Sequence, residues 1–81
     1  MKIRVRLFAA ARQAAGCDVV ELELPAPATI AELRRRLAQD LPRLSAVTEA
    51  ALFAVNAEYA GETREIPPGA EVACIPPVSG G

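Results

Sequence analysis

The sequence predicts an α+β domain, with one main helix packed across one face of a mixed sheet of four to five strands. Three observations predict it. Stretches near the start and near residue 20 alternate apolar and polar side chains, the period of a half-buried strand. A single segment, "TIAELRRRLAQDLP", combines helical spacing with a helix start signal. Strand-like stretches flank that segment on both sides, and one helix can cover only one sheet face.

The elements follow in order. In "KIRVRLF", Ile3, Val5 and Leu7 fall on one face and Lys2, Arg4, Arg6 and Phe8 on the other. "AAARQAAGCD" reads as a connection with a turn at Gly16. "VVELEL" alternates again, Val20, Leu22 and Leu24 inward and Glu21 and Glu23 outward, so the two strands form an antiparallel hairpin. Arg4 and Arg6 then lie near Glu21 and Glu23, in cross-strand pairs of about 0.2–1 kcal/mol each. Pro25 and Pro27 end the strand. Thr29 with Glu32 makes a capping box, each side chain satisfying a backbone N–H at the helix start. Ile30, Leu33, Leu37, Ala38 and Leu41 form the apolar stripe, Arg34, Arg35 and Arg36 form a solvated face, and Pro42 closes the helix. Residues 43–51 read as a loop with one helical turn. "LFAV" is a strand, Asn56 a turn residue tolerant of left-handed geometry, "EYAGETREI" a short strand with a loop, and "PPGAE" a turn. In the last strand, "EVACIPP", Val72 and Cys74 share one face and Ala73 and Ile75 the other.

Composition bounds the chemistry. The 81 residues make one domain, which buries only about 60% of its unfolded surface and leaves little room for a deep catalytic cavity. With 52% apolar and 23% charged residues the chain is globular. A net charge of −1 argues against nucleic acid or an anionic membrane as the main partner. The apolar runs are far shorter than the roughly 20 residues that span a bilayer. "MKIRVRLF" reads as a strand rather than a signal peptide. Histidine and tryptophan are absent, so no Ser-His-Asp or Cys-His arrangement can be built. Two distant cysteines, Cys17 in a turn and Cys74 among apolar residues, are too few for a structural zinc or iron–sulfur centre. As free thiols they suit a reducing, cytoplasmic setting. Phosphate-loop and dinucleotide fingerprints are missing too.

The chain stops on "ACIPPVSGG". This divides it into a domain over 1–75 and an extended tail over 76–81. Gly80 and Gly81 carry no Cβ, so the backbone can enter a narrow channel. Pro76 and Pro77 fix φ and favour an extended shape. Six residues from Pro76 project up to roughly 20 Å. A β-β-α-β-(β)-β order ending in Gly-Gly resembles the ubiquitin-like β-grasp sulfur carriers. Within them the chain is most similar to the molybdopterin synthase small-subunit family. "FAAAR" resembles that family's Phe-Ala-x-x-Arg, and "AVNAEY" and "GAEVACIPPVSGG" fit as well. Leu7, Cys74 and Ile75 stand where the family often has aromatics, which affects packing more than function.

The resemblance implies a mechanism. The Gly81 carboxylate would be adenylated by an adenylyltransferase/sulfurtransferase partner using ATP and Mg²⁺, with no cofactor bound by the carrier itself. A sulfur donor would displace AMP and leave a glycyl thiocarboxylate. The large, catalytic subunit of molybdopterin synthase, in a heterotetramer of two small and two large subunits, would present that sulfur to a cyclic pyranopterin precursor in molybdenum cofactor biosynthesis. The tail residues Pro76, Pro77, Val78, Ser79 and Gly80 would thread the partner's channel. By parity, Phe8 and Ile75 leave the core set, at the C-terminal ends of strands that a β-grasp sheet places side by side. They make an apolar spot at the tail's root, and the resemblance adds Tyr59 to it. Arg12 either contacts acidic groups of the activating enzyme or is a plain surface charge. Other readings stay open: a sulfur carrier for thiamine, cysteine or tRNA thiolation, a ubiquitin-like protein modifier, or an interaction domain that makes no use of its tail.

Overall fold

The computed structural model describes residues 1–77. Strict alternation in the first strand is realised in β1 (Lys2–Leu7), where Ile3, Val5 and Leu7 are buried and Lys2, Arg4 and Arg6 exposed. The stretch expected to be a connection is instead a helix, α1 (Ala9–Ala15). Alanine, arginine and glutamine are strong helix formers. Gly16 ends the helix at φ +76°, a left-handed angle glycine adopts without a Cβ clash, and its N–H donates to the Arg12 carbonyl at 2.9 Å. The helix escapes a reading by hydrophobic period because its inward residue is only an alanine, Ala11.

The chain then enters β2 (Val19–Glu23), antiparallel to β1, with Arg4 opposite Glu21. The expected ion pair forms there, at 3.7 Å. Arg6 departs from expectation. It stands opposite Val19 on β2, and its carboxylate partner is Glu71 at 3.7 Å on the other side. These pairs are exposed and each worth about 0–1 kcal/mol.

The main helix, α2 (Ile30–Asp40), starts as predicted. Thr29 Oγ1 accepts from the Glu32 N–H at 3.3 Å, and Glu32 Oε1 accepts from the Thr29 N–H at 3.1 Å. Ile30, Leu33 and Leu37 are buried against the sheet, while Ala38 and Leu41 lie at its margin, less deeply covered. Residues 43–51 are more regular than a loop: a 3₁₀ turn (Pro42–Leu44) runs into a short helix, α3 (Ser45–Ala50), and buries Leu44 and Thr48.

Adjacent strands run antiparallel except at the centre of the sheet. The order is β2-β1-β5-β3-β4, and β1 runs parallel to β5 (Glu71–Ile75). β3 (Leu52–Val55) pairs antiparallel with both β5 and β4 (Glu58–Ala60). The β3–β4 hairpin turns on Asn56 and Ala57 at φ +50° and +69°. Two-residue hairpins of this hand require both central residues to be left-handed, and Asn56 meets that need. Asn56 also locks the turn to β5: its N–H donates to the Glu71 carbonyl, and its Oδ1 accepts from the Glu71 N–H. The buried faces of all elements meet in one cluster that includes Val5, Leu7, Ile30, Leu33, Leu37, Leu44, Phe53, Val55, Val72 and Cys74.

Arg34 corrects the reading of the triple arginine as a solvated face. Its side chain is only 21% exposed. Nε and Nη2 grip Glu62 at 2.9 and 3.0 Å. Nη1 donates to the carbonyls of Thr48, Glu49 and Ala51 at 2.6, 3.2 and 2.7 Å. The guanidinium carbon lies 4.9 Å from the centre of the Phe53 ring. One planar fork thus ties α2 to the end of α3, the start of β3 and the loop after β4. Arg35 is exposed, and Arg36 pairs with Asp40 one turn on. Arg34→Ala should cost about 2–3 kcal/mol, because it removes the charged donor that these carbonyls share. Arg35→Ala should stay within about 0.5 kcal/mol. Urea titration of the two variants checks the contrast, and equal stabilities would remove the clamp.

Candidate functional site at the root of the tail

Alternation along three adjacent strands builds an apolar surface on the sheet face away from α2. On β5, Val72 and Cys74 point into the core, which turns Ala73 and Ile75 outward. On β3, Leu52 is in register with Ile75, and Ala54 with Ala73. On β4, Tyr59 stands opposite Ala54. The two small alanines make a low floor. Leu52 and Tyr59 rise from it, 58% and 72% exposed.

Phe8 joins this surface from β1. It follows the last residue of the strand, and its N–H donates to the Cys74 carbonyl at 3.3 Å, continuing the parallel ladder. The next residue, Ala9, has φ +48°. That angle costs a residue with a Cβ roughly 1–2 kcal/mol, so the turn from β1 into α1 is held by its surroundings. It leaves Phe8 outside the core and 43% exposed. The exposed large apolar side chains among the described residues are Phe8, Leu52 and Tyr59. Phe8 and Tyr59 are exposed as anticipated, whereas Ile75 is only half-buried rather than open. Leu52 was missed. The signal for it existed: parity from the buried Phe53 and Val55 puts Leu52 on the outer face beside Ile75.

The chain leaves β5 at this corner. Pro76 is buried and Pro77 exposed, so Pro76 belongs with the domain rather than with the tail expected over 76–81. Val78, Ser79, Gly80 and Gly81 lie outside the described residues. Arg12 sits on α1 one turn after Phe8, exposed, with Nε 3.8 Å from the Asp18 carboxylate. Beside the apolar face, a recess of ≈ 280 Å³ lies between Arg4, Arg6, Val19, Gly69, Ala70 and Glu71. The arrangement suits a docking surface at the point where the chain leaves β5.

A model of the ThiS family matches residues 5–81. The chain belongs to the ThiS family. It is 36% identical over 83 residues to the molybdopterin synthase sulfur carrier subunit of Dictyostelium discoideum, across 99% of this chain and 96% of that one. It is 36% identical to the subunit of the same name in Chlamydomonas reinhardtii, across 100% of both chains. Among solved structures it superposes on SAMP1, the small archaeal modifier protein 1 of Haloferax volcanii. That match has a TM-score of 0.86 and 28% identity, and covers 100% of both chains. The fold of this ThiS family member is the ubiquitin-like β-grasp.

Cys74 lies under the docking face without taking part in it. Both thiols are free, Cys17 exposed and Cys74 buried. Burial pushes the Cys74 thiol from 9.0 up to about 11, against a smaller opposing pull from Arg34. The folded state therefore holds this proton where the unfolded chain releases it, and stability falls as pH rises from about 9 to 11. Native protein should alkylate at Cys17 alone. A Cys74→Val variant should lose less stability than the parent chain across that pH window, as read by denaturant midpoints. Parallel loss in both proteins would show that Cys74 is solvated.

Proposed function

We propose that this chain is the sulfur carrier subunit of a molybdopterin synthase. Similarity along the full length to two proteins of that name carries the reading, and the docking surface at the root of a Gly-Gly tail supports it. The reactive group in this reading is the Gly81 carboxylate. A terminal carboxyl group ordinarily titrates at about 3.3–3.7, so at neutral pH it is an anion and has no leaving group. An activating partner therefore converts it to an acyl-adenylate with ATP and Mg²⁺, and AMP is the group that leaves when sulfur attacks. The resulting thiocarboxylate is the better nucleophile and is delivered to a cyclic pyranopterin. The carrier contributes reach and docking, and the chemistry of activation and of sulfur insertion lies in its partners.

The partners proposed are a large synthase subunit, in a heterotetramer of two small and two large chains, and an adenylyltransferase/sulfurtransferase. Phe8, Leu52, Tyr59 and Ile75 make the docking face, with Arg12 at its α1 side. Pro77, Val78, Ser79 and Gly80 enter the partner's channel behind Gly81. The free thiols favour a cytoplasmic setting, and among the described residues no helix is long and apolar enough to cross a membrane. A second reading, a protein modifier joined to lysines through Gly81, draws support from the likeness to SAMP1. Intact-mass measurement of the protein from its native cell separates the two. A thiocarboxylate on Gly81 supports the carrier, and conjugates with no thiocarboxylate support the modifier.

Removing Gly81 should abolish sulfur transfer in a reconstituted pterin assay and leave the circular dichroism spectrum unchanged. Full activity in the truncated chain would move the chemistry elsewhere. Leu52→Glu should leave thermal stability almost untouched, within about 0.5 kcal/mol, since the side chain is mostly exposed. It should weaken binding to the large subunit by about 2 kcal/mol or more, the scale of a truncated interface anchor. Phe8→Glu should weaken binding similarly, with a larger stability cost because Phe8 is more than half covered. Calorimetric titration gives the affinities, and wild-type binding by both variants would place docking on another face.

A further inference from the structure

The chain has nine basic side chains, and Lys2 is the only lysine among them. The others are Arg4, Arg6, Arg12, Arg34, Arg35, Arg36, Arg43 and Arg64. This matters for a protein that carries an activated acyl group. A guanidinium stays protonated and does not attack carbonyl carbon, whereas a lysine amine does so once deprotonated. The other amine present, on Met1, is occupied: it donates to the Leu24 carbonyl and lies 3.4 Å from a Glu23 oxygen. Lys2 is exposed on the outer sheet face. It stands at the far end of β1 from the tail's root, because β1 and β5 are parallel and Leu7 pairs with Cys74. The five residues between those ends span about 16 Å. Cys74 is buried. Cys17 is exposed, but an acyl group captured there would be a thioester, still activated and reversible by other thiols.

We propose that Lys2 is the amine of this chain that accepts an acyl group, and that it takes Gly81 of a second copy when the activated terminus meets no sulfur donor. The inference rests on the reading of Gly81 as an acyl-adenylate. The step balances without any redox change. The neutral Nζ attacks the Gly81 carbonyl carbon and a C–N bond forms. The carbon–oxygen bond to the phosphate breaks, AMP leaves with its electron pair, and the amine proton passes to water. The linked pair keeps one free Lys2 and one free Gly81. The same bond can therefore repeat, head to tail, and with one lysine per copy it does not branch through lysine.

The full-length chain is incubated with its adenylating enzyme, ATP and Mg²⁺, with no sulfur donor. Exchange of pyrophosphate into ATP reports the adenylate, and intact mass under excess thiol reports stable dimers. Trypsin cuts last after Arg64, so the expected product carries residues 65–81 on Lys2. Lys2→Arg should exchange pyrophosphate as the parent chain does and form no thiol-stable dimer. Dimers in the variant at the parent's level would overturn the assignment of Lys2. So would exchange in the parent chain with no thiol-stable dimer. Absence of exchange in both proteins would instead remove the acyl-donor reading, and this inference with it.

Discussion

The parallel pairing of β1 with β5 is the constraint on which the rest of the structure depends. Antiparallel neighbours can be joined by a two-residue turn, but parallel neighbours need a long return path. Here that path is almost the whole chain between Leu7 and Glu71. It must cover one face of the central strands, and α2 does so with Ile30, Leu33 and Leu37. It must also supply a strand on the free side of β5, and β3 does so. Because both central strands end at the same edge, Phe8 and the start of the tail emerge together. The docking corner is thus a product of strand direction.

Arg34 closes that return path. The elements after α2 are short, and short helices in water gain little from their own hydrogen bonds. Anchoring the last carbonyls of α3 and the entry to β3 with one guanidinium replaces what a longer apolar stripe would do. The same group lies over Phe53, which is in register with Cys74 under the docking face. A cation at 21% exposure is tolerable there because Glu62 neutralises it on the solvent side and carbonyls fill its inner donors.

Most of the fold was legible in the sequence, for reasons that particular residues illustrate. β1 alternates strictly, and the Thr29–Glu32 box marks the start of α2 without ambiguity. α1 was hidden because an alanine stripe has almost no amphipathic contrast, although Gly16 marked its end. Arg34 was hidden because its role depends on carbonyls 14 to 17 residues away, which no local pattern reveals. At the candidate site, Phe8 and Tyr59 were found and Leu52 was not. Parity along its strand turns it outward, but the register is what sets it beside Ile75. The burial of Pro76 is likewise a tertiary fact, invisible in a motif that reads only as a stiff, extended approach to two glycines.

The two outer strands carry a further consequence. A sheet with a solvent-facing apolar patch is at risk of growing by edge-to-edge addition of other molecules. One edge here is β4, only three residues long. The other is β2, whose outward Glu21 and Glu23 put carboxylates along the border. Neither offers a long, flat, uncharged template for cross-β stacking. The apolar surface thus lies on the broad side of the sheet, while the two rims give a neighbouring strand little to pair with.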